Sequence, residues 1–299
     1  MSHWRHILAL VGDKPRSEAV LALAAHLAIG QGANASALHA VMPAAALTGA
    51  YLSPEAAGAA LALADQSDRD RHAAAAARVA AAEAHFGLAI PLAPASNDPM
   101  GATLDAARAS DLIVLAQPED GDGFTPGFAA SVLVRCGTPL LFVPGVDVFP
   151  PGTDGAPRCG RHVLVAWSPA RESIRAIRDA LPLLAAADDV ALVRWAEPDK
   201  PPAVPEPMDA VCAYLRRHGV QARTQRLVRS SAPVAGGLLS RGWTPDVPVA
   251  EALLSHAADT QADLIVMGGY GHSRAWELAL GGVTRTLLQS MTVPVLMSH

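Results

Sequence analysis

The sequence has few aromatic, lysine and cysteine residues. The shortages of lysine and cysteine argue against particular kinds of site, and the shortage of aromatics bears on how the helices pack. Aromatic residues make up 4% of the chain, and alanine-rich stretches such as residues 71–86 supply much of its 51% hydrophobic content, which suits helices that pack closely on sheets. Lysine occurs only at Lys14 and Lys200, so the chain has no phosphate-binding lysine in a glycine loop. Cysteines stand singly at Cys136, Cys159 and Cys212, which favours neither a disulfide framework nor a zinc site.

No stretch of the sequence is apolar over the roughly 18 residues that a membrane helix needs. The opening run, MSHWRHILALVGD, does not have the anatomy of a cleavable signal. The net charge of −5 comes from interspersed acids and bases, which argues against a nucleic-acid partner. We therefore expect a soluble cytoplasmic protein whose partners include neither membrane nor nucleic acid.

Three apolar runs occur twice along the chain, in the same order. HILALV begins at His6 and HVLVAW at His162, DLIVLA at Asp111 and DLIVMG at Asp263, and the prolines of TPLLFVP and VPVLMSH are Pro139 and Pro294. The members of these pairs are 156, 152 and 155 residues apart. Such regular spacing predicts two copies of one domain of about 145 residues.

Each copy alternates strand-forming runs with helical stretches. The apolar runs are continuous, as is typical of strands covered on both faces. After the helical stretches that end at Gly87 and Gly219, LAIPLA and QARTQRLV are the predicted third strands. The pattern predicts an α/β protein with two tandem, doubly wound parallel sheets of five strands each, flanked by helices.

The proline, glycine and aspartate content of residues 143–161 predicts a linker. We predict one domain over residues 1–145, a linker over 146–160 and a second domain over 161–299. Two segments break the symmetry between the copies. Residues 42–70 are consistent with a helical hairpin, and residues 230–248 with either a lid or a variable surface loop.

A glycine-rich stretch, GGYGHSRAWELALGG, follows the DLIVM run of the second copy. Its glycines include Gly268, Gly271, Gly281 and Gly282, and a helix is predicted to begin near Val283. Glycine lets the backbone approach a phosphate closely, and the free N–H groups of a helix N-terminus favour an anion. The dinucleotide fingerprint GxGxxG is absent, because Arg274 stands where its last glycine would be.

On these residues the chain resembles a tandem member of the universal stress protein family. The nucleotide signature of that family is G-x2-G-x9-G followed by serine or threonine, and Gly268, Gly271 and Gly281 match its glycines. The run GHSRAWELALGGVTRTLL is also similar to one found in a bacterial branch of the family. The resemblance implies a Rossmann-like fold, of the adenine nucleotide alpha hydrolase type. It also implies a regulatory role in the stress response, with ATP or a related adenine nucleotide as ligand, either alone or with Mg²⁺.

The resemblance implies nucleotide contacts at the ends of strands and around the glycines. The candidate residues are Ala166, Trp167, Ser168, Trp195, Met267, Gly268, Gly271, His272, Arg274, Gly281, Gly282, Val283 and Thr284. Several depart from the family pattern. Ser168 replaces an aspartate, Gly282 replaces the serine or threonine (Thr284 follows two residues later), and Trp195 either stacks on adenine or fills its pocket.

Within the glycine stretch, His272 and Arg274 either contact phosphate or belong to a solvated loop. Ser273 beside His272 is not a nucleophile–base pair, because adjacent residues rarely face each other and no orienting acid is evident. We identify no catalytic residue and no metal ligand, so an enzymatic activity is not expected.

The first copy has lost the glycine signature. Gln117 and Pro118 stand where the first glycines are expected, and Asp120 and Asp122 would place negative charge near a phosphate. The aspartate position after the first strand is Gly12. We expect this copy to bind no nucleotide and to serve a structural or partner-binding role.

Three functions remain open at this point. The first is a nucleotide-binding regulatory module; the second is a stress-associated interaction protein with a vestigial pocket; the third, ranked last, is a slow ATPase. Fold alone does not decide among them. The resemblance further implies that PLLFVP and VPVLMS pair within one chain as an internal pseudo-dimer, and that two chains associate as a homodimer.

Overall fold

The structure is a computed structural model and describes residues 3–12, 14–41, 54–119, 125–145, 157–196, 207–228, 247–269 and 282–299. Over these residues the chain is a mixed α/β protein of mostly parallel strands flanked by helices, which is a Rossmann-like arrangement. Its residues divide into two compact units. One unit is Trp4–Thr138, and the other comprises Pro139–His299 and Met1–His3.

The unit Trp4–Thr138 contains three parallel strands in the order β2-β1-β3. Glycines in the left-handed conformation end two of its helices, at Gly32 (φ 63°) and Gly137 (φ 72°), where an L side chain would be strained. Its elements are β1 (His6–Val11), α1 (Ser17–Gln31), β2 (Asn34–His39), α2 (Pro54–Phe86), α3 (Pro99–Ala107), β3 (Leu112–Ala116) and α4 (Pro126–Cys136).

The unit Pro139–His299 contains six strands in the order β4-β9-β8-β5-β6-β7. The strands from β9 to β7 are parallel, as the βαβ pattern predicts. Its elements are β4 (Leu140–Val143), β5 (His162–Ala166), α5 (Arg171–Asp179), α6 (Leu181–Leu184), β6 (Asp189–Ala196), α7 (Pro207–Arg217), β7 (Ala222–Val228), α8 (Val247–Asp259), β8 (Leu264–Gly268), α9 (Gly282–Ser290) and β9 (Val295–Ser298).

The terminal strands of the two sequence copies pair with each other, as the sequence predicts. Strand β4 runs antiparallel to β9, with Leu140 opposite Met297 and Phe142 opposite Val295. All residues of both strands are buried. This pairing explains why β4, which ends the first sequence copy, belongs to the same compact unit as the second.

The first copy lacks the predicted third strand. Residues 88–93 form an isolated bridge, Ala37 with Leu92, and no named strand. Pro91 removes a backbone donor inside this run and Pro94 removes another directly after it, which disfavours a continuous ladder. The prediction of five strands in each copy is therefore wrong for the first. Of residues 42–70, for which a helical hairpin was predicted, those from position 54 onward belong to the 33-residue helix α2, and residues 42–53 lie outside the described residues.

An aspartate holds the amino end of the first strand in each copy. The carboxylate of Asp111 accepts hydrogen bonds from the backbone N–H of Arg5 and His6, at 2.6 and 3.0 Å. Asp263 does the same for Arg161 and His162, at 3.2 and 3.0 Å, and also accepts from Gly160. The aspartate of the DLIV run thus fixes the same edge of each sheet, because charged acceptors make strong bonds to backbone donors.

Candidate functional site

The ends of β5, β6 and β8 meet at the carboxyl edge of the parallel sheet. Ala166, the last residue of β5, lies opposite Val193 of β6 and Met267 of β8. The next residue extends the pairing, since the N–H of Trp167 donates to the carbonyl of Val193 at 2.8 Å. Ligands of open α/β sheets bind beyond this edge. The structure therefore brings together the candidate residues at positions 166–168 and 267–268.

Ser173 fastens the turn that leads from β5 into α5. Its Oγ accepts from the N–H of Ser168 at 3.1 Å and lies 3.4 Å from the carbonyl oxygen of Ala166, to which it donates. Ser173 is buried. Ser168, at the family's aspartate position, is held by its backbone at the start of α5, and it offers a neutral hydroxyl in place of a carboxylate.

The two candidate tryptophans lie in different places. Trp167 is 6% exposed, and the guanidinium of Arg194 lies 5.7 Å from its ring centre. Its buried Nε1 has no hydrogen-bond partner among the described residues. Trp195 lies in β6 opposite Leu227 of the edge strand β7. Trp167 is therefore buried directly after β5, at the carboxyl edge of the sheet. A role for Trp195 in contacting adenine stays a prediction.

Gly268 has no room for a side chain. A Cβ at this position would lie 2.6 Å from the backbone N of Ser173 and 2.7 Å from the carbonyl carbon of Glu172. These atoms belong to the first turn of α5 and cannot move as a flexible side chain can. The first glycine of the motif thus permits close contact between strand β8 and helix α5, whatever the other glycines contact.

Glu172, whose backbone and Cβ lie close to Gly268, has a buried carboxylate. The side chain of Glu172 is 8% exposed and accepts from Nε of Arg171 at 2.7 Å. Burial alone would raise the pKa of Glu172, but the hydrogen bonds from Arg171 and from its own backbone, together with the nearby positive charges, hold it below its usual range. Glu172 is therefore ionised near neutral pH, and it places a negative charge at the candidate site.

The last two residues of the chain lie against the same edge. The ring Nδ1 of His299 is 3.1 Å from the carbonyl oxygen of Gly269, and Ser298 donates its hydroxyl to Asp179 at 2.8 Å. Burial raises the pKa of Asp179, although Ser298 and Arg175 oppose this shift. These contacts join β9, α5 and the residue at which the chain leaves β8.

Of the remaining candidates, Gly271, His272, Arg274 and Gly281 lie outside the described residues, as do Asp120 and Asp122 of the first copy. Helix α9 begins at Gly282, next to the predicted start at Val283. Thr284, in its first turn, is 3% exposed. The helix packs against α8 and leads into β9.

The equivalent edge of the first copy has a different set of contacts. Ser17 matches Ser173, since its Oγ accepts from the N–H of Gly12 at 2.9 Å and donates to the carbonyl of Gly12 at 3.1 Å. The registers of β1 with β3 and of β5 with β8 place Ala116, and not Gln117, at the position of Gly268. The first copy therefore has a Cβ where the second has none.

An arginine covers this edge in the first copy. Arg16 donates from Nη1 to the carbonyl of Gln117 at 3.2 Å and pairs through Nη2 with Glu119 at 2.8 Å. Arg16 stands 156 residues before Glu172, so the two copies carry opposite charges at this position. The first copy thus has the ion pair of Arg16 with Glu119 at the carboxyl edge of its sheet, and the second copy has Gly268 at the corresponding edge.

Sequence reasoning missed Glu172, Ser173 and His299 as members of the site. The equal separation of Ser17 from Gly12 and of Ser173 from Ser168 was a signal that could have identified the serine. No local pattern marks His299, because its contact with Gly269 joins residues 30 positions apart.

Neither a metal site nor a membrane span is evident in the described parts of the chain. No group of three or more histidine, cysteine, aspartate or glutamate side chains among them is arranged to hold a metal ion. None of the helices described is both long and apolar enough to cross a bilayer.

The model of the universal stress protein family matches residues 160–299. Residues 160–299 are a universal stress protein domain. This domain contains the site described above, from β5 to β9. None of the curated proteins with which the chain was compared matches it.

Solved structures extend the likeness of fold to the whole chain. A universal stress protein from Archaeoglobus fulgidus is 13% identical with a TM-score of 0.67, over 98% of this chain and 95% of that one. A putative universal stress protein from Pseudomonas aeruginosa is 14% identical with a TM-score of 0.53, over 99% and 93%. A universal stress protein in complex with cAMP is 19% identical with a TM-score of 0.32, over 46% and 97%.

Proposed function

We propose that the protein is a universal stress protein-like regulator whose C-terminal domain binds ATP or a related adenine nucleotide. The observation that carries this proposal is the position of α9. In a β8–α9–β9 unit with parallel strands, the helix runs opposite to the strands, so its N-terminus at Gly282 lies at the carboxyl edge where β8 ends. The glycines of the signature lie between these two ends.

The free N–H groups of the first turn of α9 supply the donors for phosphate. A helix N-terminus attracts anions through these groups and through its dipole. Glycine at position 282 leaves that turn without a side chain. In the proposed complex the phosphates contact the backbone of the signature glycines and of Val283, with His272 and Arg274 as further candidates, and no lysine is required.

The nucleoside occupies the edge beyond β5 and β6. Trp167 and Met267, 6% and 7% exposed, form the wall beneath it, and Ser168 lies at the turn into α5. The hydroxyl of Ser168 replaces the carboxylate that would bond to ribose, so a neutral hydrogen bond replaces a charged one. We therefore expect weaker nucleotide binding than an aspartate would give, by about tenfold at most.

The carboxylate of Glu172 opposes an anionic ligand, and it is the observation that favours the second candidate, an interaction protein with a vestigial pocket. The positive charge of Arg171 offsets Glu172, and Mg²⁺ bound with ATP would reduce the repulsion further. The two candidates therefore differ in whether Mg-ATP binds at all.

The first copy, as we propose it, binds no nucleotide and acts in structure or in partner binding. The ion pair of Arg16 with Glu119 and the Cβ of Ala116 support this assignment. The domain boundaries that we propose remain 1–145 and 161–299, with 146–160 as linker. We also propose a homodimer, which light scattering on the purified chain tests directly, since a monomer mass at all concentrations would refute it.

The test of nucleotide binding is native mass spectrometry of the freshly purified protein, followed by calorimetric titration with Mg-ATP. We expect one adenine nucleotide per chain. The variant Gly282→Leu should weaken binding at least tenfold, because its side chain covers the N–H groups of the first turn. Gly127→Leu is the matched control, since Gly127 lies 155 residues earlier in α4 and its Cβ would make only an ordinary contact, 3.9 Å from Oγ1 of Thr125.

Failure of the native protein to bind Mg-ATP would reject the proposal in favour of the interaction protein. Equal affinity of Gly282→Leu and the native protein, with both folded by circular dichroism, would reject the assigned site. Hydrolysis of ATP above a buffer control, lost in Gly282→Leu, would identify an ATPase instead.

A further inference from the structure

The first residue after the DLIV strand has its carbonyl oxygen bound by a side chain in both copies. In the first copy the acceptor is Gln117, and the donor is Nη1 of Arg16 at 3.2 Å. In the second copy the acceptor is Gly269, 152 residues later, and the partner is Nδ1 of His299 at 3.1 Å. The same backbone group is thus fixed by an arginine in one copy and by a histidine in the other.

The surroundings of His299 determine which ring nitrogen carries the hydrogen. The carbonyl of Gly269 only accepts, so Nδ1 carries the hydrogen and donates it. Nη2 of Arg171 lies 3.5 Å from Nε2, which is then the acceptor. The main-chain oxygen of His299 accepts from Nη1 of Arg175 at 3.1 Å. Helix α5 therefore holds both the ring and the backbone of this residue.

Both backbone groups of Gly269 are bound by the end of the chain. Its N–H donates to the carbonyl of Ser298 at 2.9 Å, which extends the β8–β9 pairing by one residue, and its carbonyl accepts from His299. Gly269 is buried and comes directly before the part of the glycine stretch that lies outside the described residues. Its position fixes the direction in which the chain leaves the strand.

We propose that His299 is a positioning residue that holds Gly269 at the end of β8. Its role in ligand binding rests on the proposed nucleotide site. The Nδ1 donor of the ring fixes the carbonyl of Gly269, while Arg171 holds the ring from its other nitrogen.

Among the described residues, the charged groups around His299 come from α5. Arg171 lies near its ring and Arg175 donates to its main-chain oxygen, while the carboxylates of Glu172 and Asp179 lie on the same helix. The matching contact of the first copy comes from Arg16, which also pairs with Glu119.

The test is amide hydrogen exchange of the full chain, followed by NMR at the N–H of Gly269. His299→Ala should speed exchange at Gly269 about fivefold, because one hydrogen bond that holds the residue is lost. The N–H of Ile265, which donates to Pro294 at 3.0 Å at the other end of the β8–β9 pair, is the internal reference and should not change.

Two further variants separate anchoring from a general loss of stability. His299→Asn keeps a donor near the position of Nδ1, so it should recover about half of the protection. Arg16→Ala removes the matched contact of the first copy and should leave Gly269 unchanged.

Unchanged exchange at Gly269 in His299→Ala, or no recovery of protection in His299→Asn, would overturn the inference. The nucleotide proposal is judged separately, by Mg-ATP binding to the native protein. If the native protein binds Mg-ATP, His299→Ala should bind it about threefold more weakly, and equal affinity would overturn the positioning role. If the native protein does not bind, the exchange data still decide whether His299 is an anchor.

Discussion

The two copies agree at one edge of their sheets and differ at the other. At the amino edge, Asp111 and Asp263 bind the backbone N–H groups that begin β1 and β5. At the carboxyl edge, the first copy has Ala116 and the pair Arg16–Glu119, while the second has Gly268 and the buried carboxylate of Glu172. The two copies thus share the hydrogen bonds that hold their first strands, but they differ in the residues at the edge where a ligand would bind.

This difference separates what the fold needs from what a site needs. Ser17 and Ser173 fasten the same turn in both copies, so this turn does not depend on a ligand. The residues that differ lie where ligands of α/β sheets bind. A glycine at position 268 nevertheless serves packing, since backbone atoms of α5 occupy the space of its side chain. A glycine of a binding signature can therefore be required even where nothing is bound.

The largest effect is expected at Gly268. Gly268→Ala should lower the free energy of unfolding by about 3 kcal/mol, because its Cβ would overlap backbone atoms that cannot rotate away. Denaturant unfolding followed by circular dichroism measures this loss.

The matched change in the first copy is Ala116→Gly. It removes a Cβ without creating overlap and should cost about 1 kcal/mol or less. A Gly268→Ala protein as stable as the native one would show that α5 moves away from β8 easily, and that the close contact does not explain the glycine.

An intermediate effect is expected at the two serines. Ser17→Ala should cost about 2 kcal/mol, because it leaves the buried N–H of Gly12 without its partner at 2.9 Å. Ser173→Ala should cost about 1 kcal/mol, since its bonds are longer, at 3.1 and 3.4 Å, and Ser168 is half-buried. Unfolding measurements on both variants test the order, and the reverse order would contradict the assigned geometry.

The smallest effect is expected at a cross-strand ion pair that the first copy lacks. Nε and Nη2 of Arg223 in β7 donate to the carboxylate of Asp189 in β6, and these bonds lower the pKa of Asp189. A lowered pKa in the folded state stabilises the protein above the ordinary aspartate range, and this stabilisation is lost as the pH falls through the folded-state pKa. Because the two side chains are 39% and 41% exposed, the contribution should stay below about 1 kcal/mol.

The variant Asp189→Asn measures this contribution. It should lower the free energy of unfolding slightly at pH 7, and this loss should shrink as the pH falls through the folded-state pKa of Asp189. Asn34 stands at the matching position of the first copy, at the start of β2. A larger difference between variant and native protein at pH 2 than at pH 7 would show that the ion pair has no part in stability.

Much of the fold could be predicted because its strands are buried on both faces. The continuous apolar runs at residues 6–11, 112–116 and 264–268 are typical of such strands, and all three are present. The third strand of the first copy was mispredicted, since the apolar residues of LAIPLA outweighed its proline. The number of hydrogen bonds that this run makes with β2 depends on the position of β2, and the sequence of the run does not specify that position.

The sequence predicted the candidate site less precisely than it predicted the fold. The end of β8 and the start of α9 followed from the glycines, because glycine has few other reasons to cluster between a strand and a helix. The burial of Thr284 and of Trp167 did not follow, since it depends on which face each residue turns toward its neighbours.

The sequence by itself determined the order of strands and helices and the place of the glycine signature, because both are written in local patterns of apolar residues and glycine. Tertiary structure alone decided that Gly268 faces the backbone of α5, that Glu172 is buried and ionised beside it, and that His299 holds Gly269. These contacts join residues that are 30 to 96 positions apart, and such distances are set by packing and hydrogen bonding in three dimensions.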